Sequence, residues 1–234
     1  MADGGVLACR TAGAVSLGVA LAGPLETQAH SSLTAHMVQH VVLLMVAAPL
    51  LVAGRTVPAV LTALPTRLRK PALAGWRRVV RSHAGLGWMA WTAGAIAAQT
   101  AAMWLWHLPG PFEAALHHPL LHACEHVSLL ATAMVFWWAV SAGRRDRLGA
   151  AVLAVFIAAL PGTGLGAALT LASHPWYPSY AARGLADQQL AGVVMWSVGG
   201  FVYVIAAAVL FARWMAGLER SMPPGTFARV GAAR

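Results

Sequence analysis

The chain has 234 residues, 59% of them hydrophobic and only 10% Asp, Glu, Lys or Arg. A soluble domain carries roughly 25% charged residues, so this composition excludes an ordinary soluble domain and points to a membrane protein. The formal charge of +9 invites a nucleic-acid partner, but the basic residues lie between long apolar runs rather than beside base-stacking aromatics, which excludes one.

About 20 mostly apolar residues are needed to cross the bilayer. Residues 12–25 form a short first span after Arg10; a signal peptide cleaved after Ala29 is the other reading of that stretch. Residues 33–53 form the second span, which carries His36 and His40 and should bend at Pro49. Residues 54–85 are a Pro- and Arg-rich connection expected to lie along the membrane surface. Residues 86–106 form the third span, whose end "MWLWHLPG" delivers His107. Residues 120–140 form the fourth, with His122 and His126 on it and His118 one turn nearer the surface. Residues 149–172 form the fifth, in which Leu160-Pro161-Gly162-Thr163-Gly164 should kink or break the helix. Residues 190–212 form the sixth, opening with "DQQLAGVVMW". Gln188, Gly192 and Met195 share one stripe there, and Gly192, Gly199 and Gly200 allow a neighbouring helix to come close. The expected fold is all-α: a single-domain transmembrane bundle of about six spans in contact with membrane lipid.

Orientation follows from the basic residues. Arg55, Arg67, Arg69, Lys70, Arg77, Arg78 and Arg81 follow span two, and Arg144, Arg145 and Arg147 follow span four. With Arg10, Arg213, Arg220, Arg229 and Arg234 they place 15 of the 16 basic residues on one face, leaving Arg183 opposite. That face is expected to be cytoplasmic, with both termini inside. Trp88, Trp91, Trp137, Trp138 and Trp214 then fall near inner ends, and Trp104, Trp106, Trp176, Tyr177 and Tyr180 near outer ends.

This layout puts nine of the ten histidines on the outer side, with only His83 among the cytoplasmic arginines. His30, His117, His118 and His174 sit at or beyond helix ends, where a hydrated imidazole costs little. The pairs His36/His40 and His122/His126 differ, since each is spaced four apart and so points from one helix face. His40 and His126 lie at matching depth, roughly 10 Å inside the outer boundary at 1.5 Å per residue. A polar group in hydrocarbon costs several kcal/mol unless partnered, so the pairs should face each other, a metal, a cofactor or water. The expected centre takes imidazoles from His36, His40, His107, His122 and His126. Glu125 and Asp187 are placed to orient them, with Gln188 and Met195 alongside. Imidazole suits copper and zinc, and a nearby thioether favours Cu(I), although Met195 or Met37 on an apolar helix is more simply packing. Cys124 should face away, and Cys9 and Cys124 have no CxxC spacing that would give a disulfide framework.

In the stretches "HMVQHVVLLMVAAPLLVAG", "WHLPGPFEAAL", "HPLLHACEHVSLL…FWW", "YPSYA" and "DQQLAGVVMW" the chain resembles the CtaG family of cytochrome c oxidase assembly factors, from about Pro24 to Trp214. The resemblance implies a non-enzymatic protein of the bacterial plasma membrane, a chaperone that handles copper while a haem–copper oxidase subunit matures. The family's histidines fall here on His36, His40, His107, His122 and His126, and its acidic–glutamine motif on Asp187, Gln188 and Gln189. Two other functions stay open on the residues alone. One is a membrane redox protein holding haem b between His40 and His126. The other is a copper transporter, although the inner halves of the spans are almost purely apolar. Association into a homo-oligomer is also open.

Overall fold

The computed structural model describes residues 3–141 and 145–221, the side chains of residues 83–86, 145 and 221 apart. Arg144, Arg229, Arg234 and the side chains of His83 and Arg145 therefore lie outside the described residues. All regular structure in the described residues is helical. Five stretches have the length and apolarity to cross a membrane: Asp3–Ala22, Leu33–Ala53, Pro119–Ser141, Leu148–Leu171 and Leu185–Arg220. Their outward faces carry large exposed apolar side chains, such as Leu153, Phe156 and Leu160 on one helix and Phe201, Val204 and Ile205 on another. Hydrocarbon covers such a surface at no cost, whereas water would drive it to aggregate. The chain is a helical membrane bundle.

Helix α1 (Asp3–Ala22) is longer than the short first span expected at 12–25, because it begins well before Arg10. Arg10 is not a flanking charge. Its guanidinium donates two hydrogen bonds, of 3.1 and 3.0 Å, to the carbonyl of Gly54. That carbonyl closes helix α4 (Ala48–Ala53), where the backbone carbonyls of a helix end lack partners and attract cations. The approach is close enough that a Cβ on Gly54 would stand 2.6 Å from the Arg10 backbone nitrogen. A short helix α2 (Pro24–Ala29) then leads to α3 (Leu33–Val41), which holds His36 and His40.

Between α3 and α4 the second span runs through a π-helical segment, Val42–Ala47. The expected effect of Pro49 appears here as one widened stretch instead of a sharp bend. In the π register Ala48 N–H donates to the Leu43 carbonyl, so the Leu44 carbonyl would look for a proton on residue 49. Proline has none. The indole of Trp137 donates to Leu44 instead, at 2.9 Å. Pro161, by contrast, does not break its helix, and α10 (Leu148–Leu171) is continuous through it.

The connection after the second span is two helices, α5 (Thr56–Ala63) and α6 (Thr66–Leu86). On α6, Arg67, Arg69, Lys70, Arg77, Arg78 and Arg81 are exposed while Trp76 turns back against Trp138, ring centroids 5.8 Å apart. This is an amphipathic helix of the kind that lies in a membrane interface.

Helix α7 (Trp88–His107) is 20 residues long but is not among the five most apolar stretches, because it carries Thr92, Gln99, Thr100 and His107. It packs against α9 (Pro119–Ser141) and α10 and turns Thr92, Gln99, Met103 and His107 inward. The bundle closes with α8 (Pro109–His117), a 3₁₀ turn at Pro178–Arg183, and α11 (Leu185–Ser221). Of the glycines expected to admit a neighbour, Gly192 does so: an added Cβ would meet the Gly166 carbonyl of α10 at 2.5 Å. Gly199 and Gly200 face open space. Several aromatics expected at the membrane interface are buried instead, because their polar atoms serve the backbone. Trp88 donates to the Ala139 carbonyl at 2.9 Å, and Tyr177 to the His107 carbonyl at 2.7 Å. Cys9 and Cys124 are free, and Cys124 is exposed.

Candidate metal centre

The histidines of α3, α7 and α9 meet inside one end of the bundle. The ring centroids of His36 and His122 are 5.6 Å apart, of His36 and His126 6.2 Å, of His40 and His126 5.4 Å, and of His40 and His107 5.4 Å. His36, His40, His107 and His126 are buried, and His122 is half-buried at the outer rim. His30, His117, His118 and His174 are exposed, as imidazoles at helix ends.

Within this cluster His36, His122, Glu125 and His126 form a tighter group, whose ligand atoms all lie within 4.8 Å of one another. Tetrahedral bonds of about 2.0–2.1 Å place ligand atoms roughly 3.4 Å apart, so a small contraction would close this group on an ion. Glu125 is the surprise. Sequence spacing marks it as a group behind the imidazoles, but the structure puts it among them: its Oε1 lies 3.9 Å from His36 Nε2 and 3.6 Å from His40 Nε2. Its helical spacing of three from His122 places both on one face and was the available signal.

Hydrogen bonding leaves part of the cluster unsatisfied. Both oxygens of Glu125, Nε2 of His122 and Nε2 of His126 are buried and have no hydrogen-bond partner. An unsatisfied buried polar atom costs about 1–3 kcal/mol, and more when charged. Among the described residues, six such orphaned atoms lie on the converging side chains of His40, His107, His122, Glu125 and His126.

The remaining site residues are held in place from outside. Burial pushes the Tyr180 hydroxyl above its usual range, so it stays protonated and donates to the Ala29 carbonyl. It must then accept from Nδ1–H of His36, 3.2 Å away, which leaves His36 Nε2 with a lone pair directed at the cluster. Sequence reading quoted Tyr180 in "YPSYA" but gave it no such role. Asp187 does not reach an imidazole. It caps α3 from α11, accepting from Leu33 N–H at 2.8 Å and from the hydroxyls of Ser32 at 2.9 Å and Thr34 at 2.7 Å. Gln188 also works at a distance: it accepts from Trp176 N–H at 2.6 Å and donates to the His174 carbonyl at 3.3 Å, fastening the outer connection. Gln39 of α3 donates to the Ala20 carbonyl at 2.8 Å and to Glu26, tying the first two helices to the histidine helix.

This is the arrangement in which the resemblance can be tested against the whole chain. The family model of the cytochrome c oxidase caa3 assembly factor (Caa3_CtaG) matches residues 5–217. The chain belongs to this family. The match takes in α1, which lies before the stretches that carry the resemblance. No curated protein and no solved structure matches the chain. Membership makes it a member of an oxidase assembly-factor family, which implies interaction with cytochrome c oxidase.

The space around the centre in this caa3-assembly-factor chain is small. A cavity of about 40 Å³ lies beneath the tight group, bordered by His40, His107, Met37, Met103, Met195 and Gln99. Met195 therefore borders the histidines, as its helical stripe predicts. The cavity is room for an ion or a few waters and far too small for a porphyrin.

Proposed function

We propose that this assembly factor binds copper through His36, His122, His126 and Glu125 and supports its insertion into a subunit of the oxidase, acting as a chaperone and not as an enzyme. The observation that carries the reading is the coincidence of convergence and orphaning: of the four residues whose ligand atoms gather within 4.8 Å, His122, Glu125 and His126 hold buried atoms without a hydrogen-bond partner. Three imidazoles and one carboxylate suit Cu(II) or Zn(II), and the oxidase client selects copper between them. His40 stands beside the group, its Nε2 3.1 Å from that of His36. The crowding of the centre supports an ion over haem b. A copper transporter would need polar groups continuing through the other half of the bundle, where the buried residues are mostly apolar, such as Leu43, Leu44, Ala47, Phe136 and Val140, and the Thr92 hydroxyl is spent on the Trp88 carbonyl.

Purified protein in detergent is expected to carry copper by elemental analysis, and His122→Ala/His126→Ala is expected to lose at least ten-fold in Cu(II) affinity while His174→Ala binds normally. Second-sphere losses alone reach 10–100-fold, so loss of two ligands should exceed that range's lower end. In cells the double variant should lower active oxidase while its polypeptide remains. Undiminished oxidase activity in the double variant would end the copper reading.

The basic residues support a cytoplasmic side for α5 and α6, with the metal centre facing the extracytoplasmic side of a bacterial plasma membrane. Reporter fusions at Gly110 and after Arg145 should then report opposite sides. Equal signals from both would reverse or break this topology.

A further inference from the structure

The tight group does not use every orphaned atom. His40 Nδ1, His107 Nε2 and Gln99 Oε1 are also buried without partners. Their side chains are 5%, 2% and 6% exposed, and all three residues border the 40 Å³ cavity. The protons can be followed one bond at a time. His36 Nδ1 carries the proton given to Tyr180, so His36 Nε2 accepts, and the hydrogen bond from His40 at 3.1 Å must come from His40 Nε2–H. When a metal takes the His36 lone pair, that N–H still has Glu125 Oε1 at 3.6 Å to turn to. In both cases His40 keeps its proton on Nε2 and leaves a bare lone pair on Nδ1. His107 arrives at the same result from another helix. Its Nδ1–H donates to the Met103 carbonyl at 2.7 Å, which leaves the lone pair on Nε2.

Two imidazole lone pairs therefore border one cavity with nothing to accept from. Four methionines share it: Met37 from α3, Met45 from the π-helical segment, Met103 from α7 and Met195 from α11. The Met103 sulfur lies 3.7 Å from where a Cβ on Gly162 would stand, and Gly162 lines the same space. Packing alone explains one methionine; it does not explain four methionines around two partnerless imidazoles.

We infer that the chain holds a second metal site, deeper than the first, in which His40 Nδ1, His107 Nε2 and thioethers from the set Met37, Met45, Met103 and Met195 bind a soft monovalent ion, Cu(I). The donor set decides the ion. Thioethers select Cu(I) among the first-row metals, whereas the outer group holds none. Charge agrees, because no carboxylate faces this cavity and every donor in it is neutral. A monovalent ion leaves one uncompensated charge in a low-dielectric interior, and a divalent ion would leave two. Glu125 gives the outer group the extra negative charge a divalent ion needs. The chain thus presents two neighbouring sites of different softness that share the α3 histidine pair.

This inference rests on the copper reading of the outer group, so the test separates them. The purified full chain in detergent is titrated anaerobically with Ag(I), a redox-silent stand-in for Cu(I), and separately with Zn(II). The expected result is two equivalents of Ag(I) and one of Zn(II). Met37→Leu/Met45→Leu/Met103→Leu/Met195→Leu, which conserves volume closely, should keep one Zn(II) and fall to one Ag(I). His122→Ala/His126→Ala should lose the Zn(II) but retain one Ag(I), and X-ray absorption at that ion should show sulfur neighbours. A single Ag(I) in the wild type, lost with His122 and His126 and kept by the methionine variant, overturns the second site and leaves the first. Nitrogen and oxygen neighbours alone around the Ag(I) retained by the His122/His126 variant also overturn it. Binding of neither ion by the wild type overturns both sites.

Discussion

Glu125→Gln is expected to make the metal-free protein more stable and the copper-binding protein worse. The carboxylate sits at the centre of the histidine cluster, fully buried, with neither oxygen hydrogen-bonded. Glutamine keeps its shape but replaces one oxygen by an amide NH₂, which can donate to the unpartnered Nε2 of His122 or His126. Each satisfied atom recovers part of a penalty of about 1–3 kcal/mol. The melting temperature of the metal-free variant in detergent should therefore rise. Cu(II) affinity should fall by about 100-fold or more, because the amide is a poor ligand and brings no charge to offset the ion's. The opposed signs matter, since a purely structural glutamate would lower stability on substitution and leave metal binding to follow. A fall in melting temperature of the metal-free variant would remove the argument that Glu125 is placed for a cation.

The largest purely structural effect is expected at Gly192. Helices α10 and α11 run so close there that an added Cβ would stand 2.5 Å from the Gly166 carbonyl and 2.5 Å from the Thr170 hydroxyl. These obstacles include backbone, which cannot swing aside as a side chain can. Gly192→Leu must force the two helices apart, and overpacking of a tight core costs about 1–3 kcal/mol or more. With Met195 one turn further along α11, the separation would also open the deeper cavity. Gly164→Ala on α10 meets nothing within 4 Å and is the matched control. Thermal unfolding of both variants in detergent checks this: a large loss for Gly192→Leu, little change for Gly164→Ala. Equal stability of the two would show that the helices do not pack as described.

The histidine centre was legible in sequence because its signal is local. Two pairs spaced by four on apolar helices can only be explained by a partner inside the bundle, and both pairs do meet there. His107 was legible for the same reason, from its place at a helix end. Residues that act over long sequence distances were not legible. Asp187 looks like an orienting carboxylate for imidazole, but whether it reaches His36 or the start of α3 depends on how far α11 is shifted along its neighbour. That shift belongs to the packing of two helices whose contacting residues, Leu33 and Asp187, lie 154 positions apart, and no local spacing announces it. Glu125 was misplaced for a subtler reason: its position one residue before His126 suggests a different face, while its spacing of three from His122 restores it to the same one. Tyr180 fixes the proton on His36 from 144 positions away, and no spacing announces that. The second span shows the opposite failure. Pro49 was read correctly as a disturbance, but its form depended on Trp137 standing ready to donate to Leu44.

The π-helical stretch at Val42–Ala47 has one further consequence. A widened turn accommodates one extra residue, and each residue of a helix advances the facing direction by about 100°. The half of the second span that carries His36 and His40 is thereby out of phase with the half that ends at Ala53. The two halves are separate design problems. The half that ends at Ala53 can be lengthened, shortened or re-faced to suit a membrane of another thickness. The slack of a single turn would absorb the change before it reached the imidazoles.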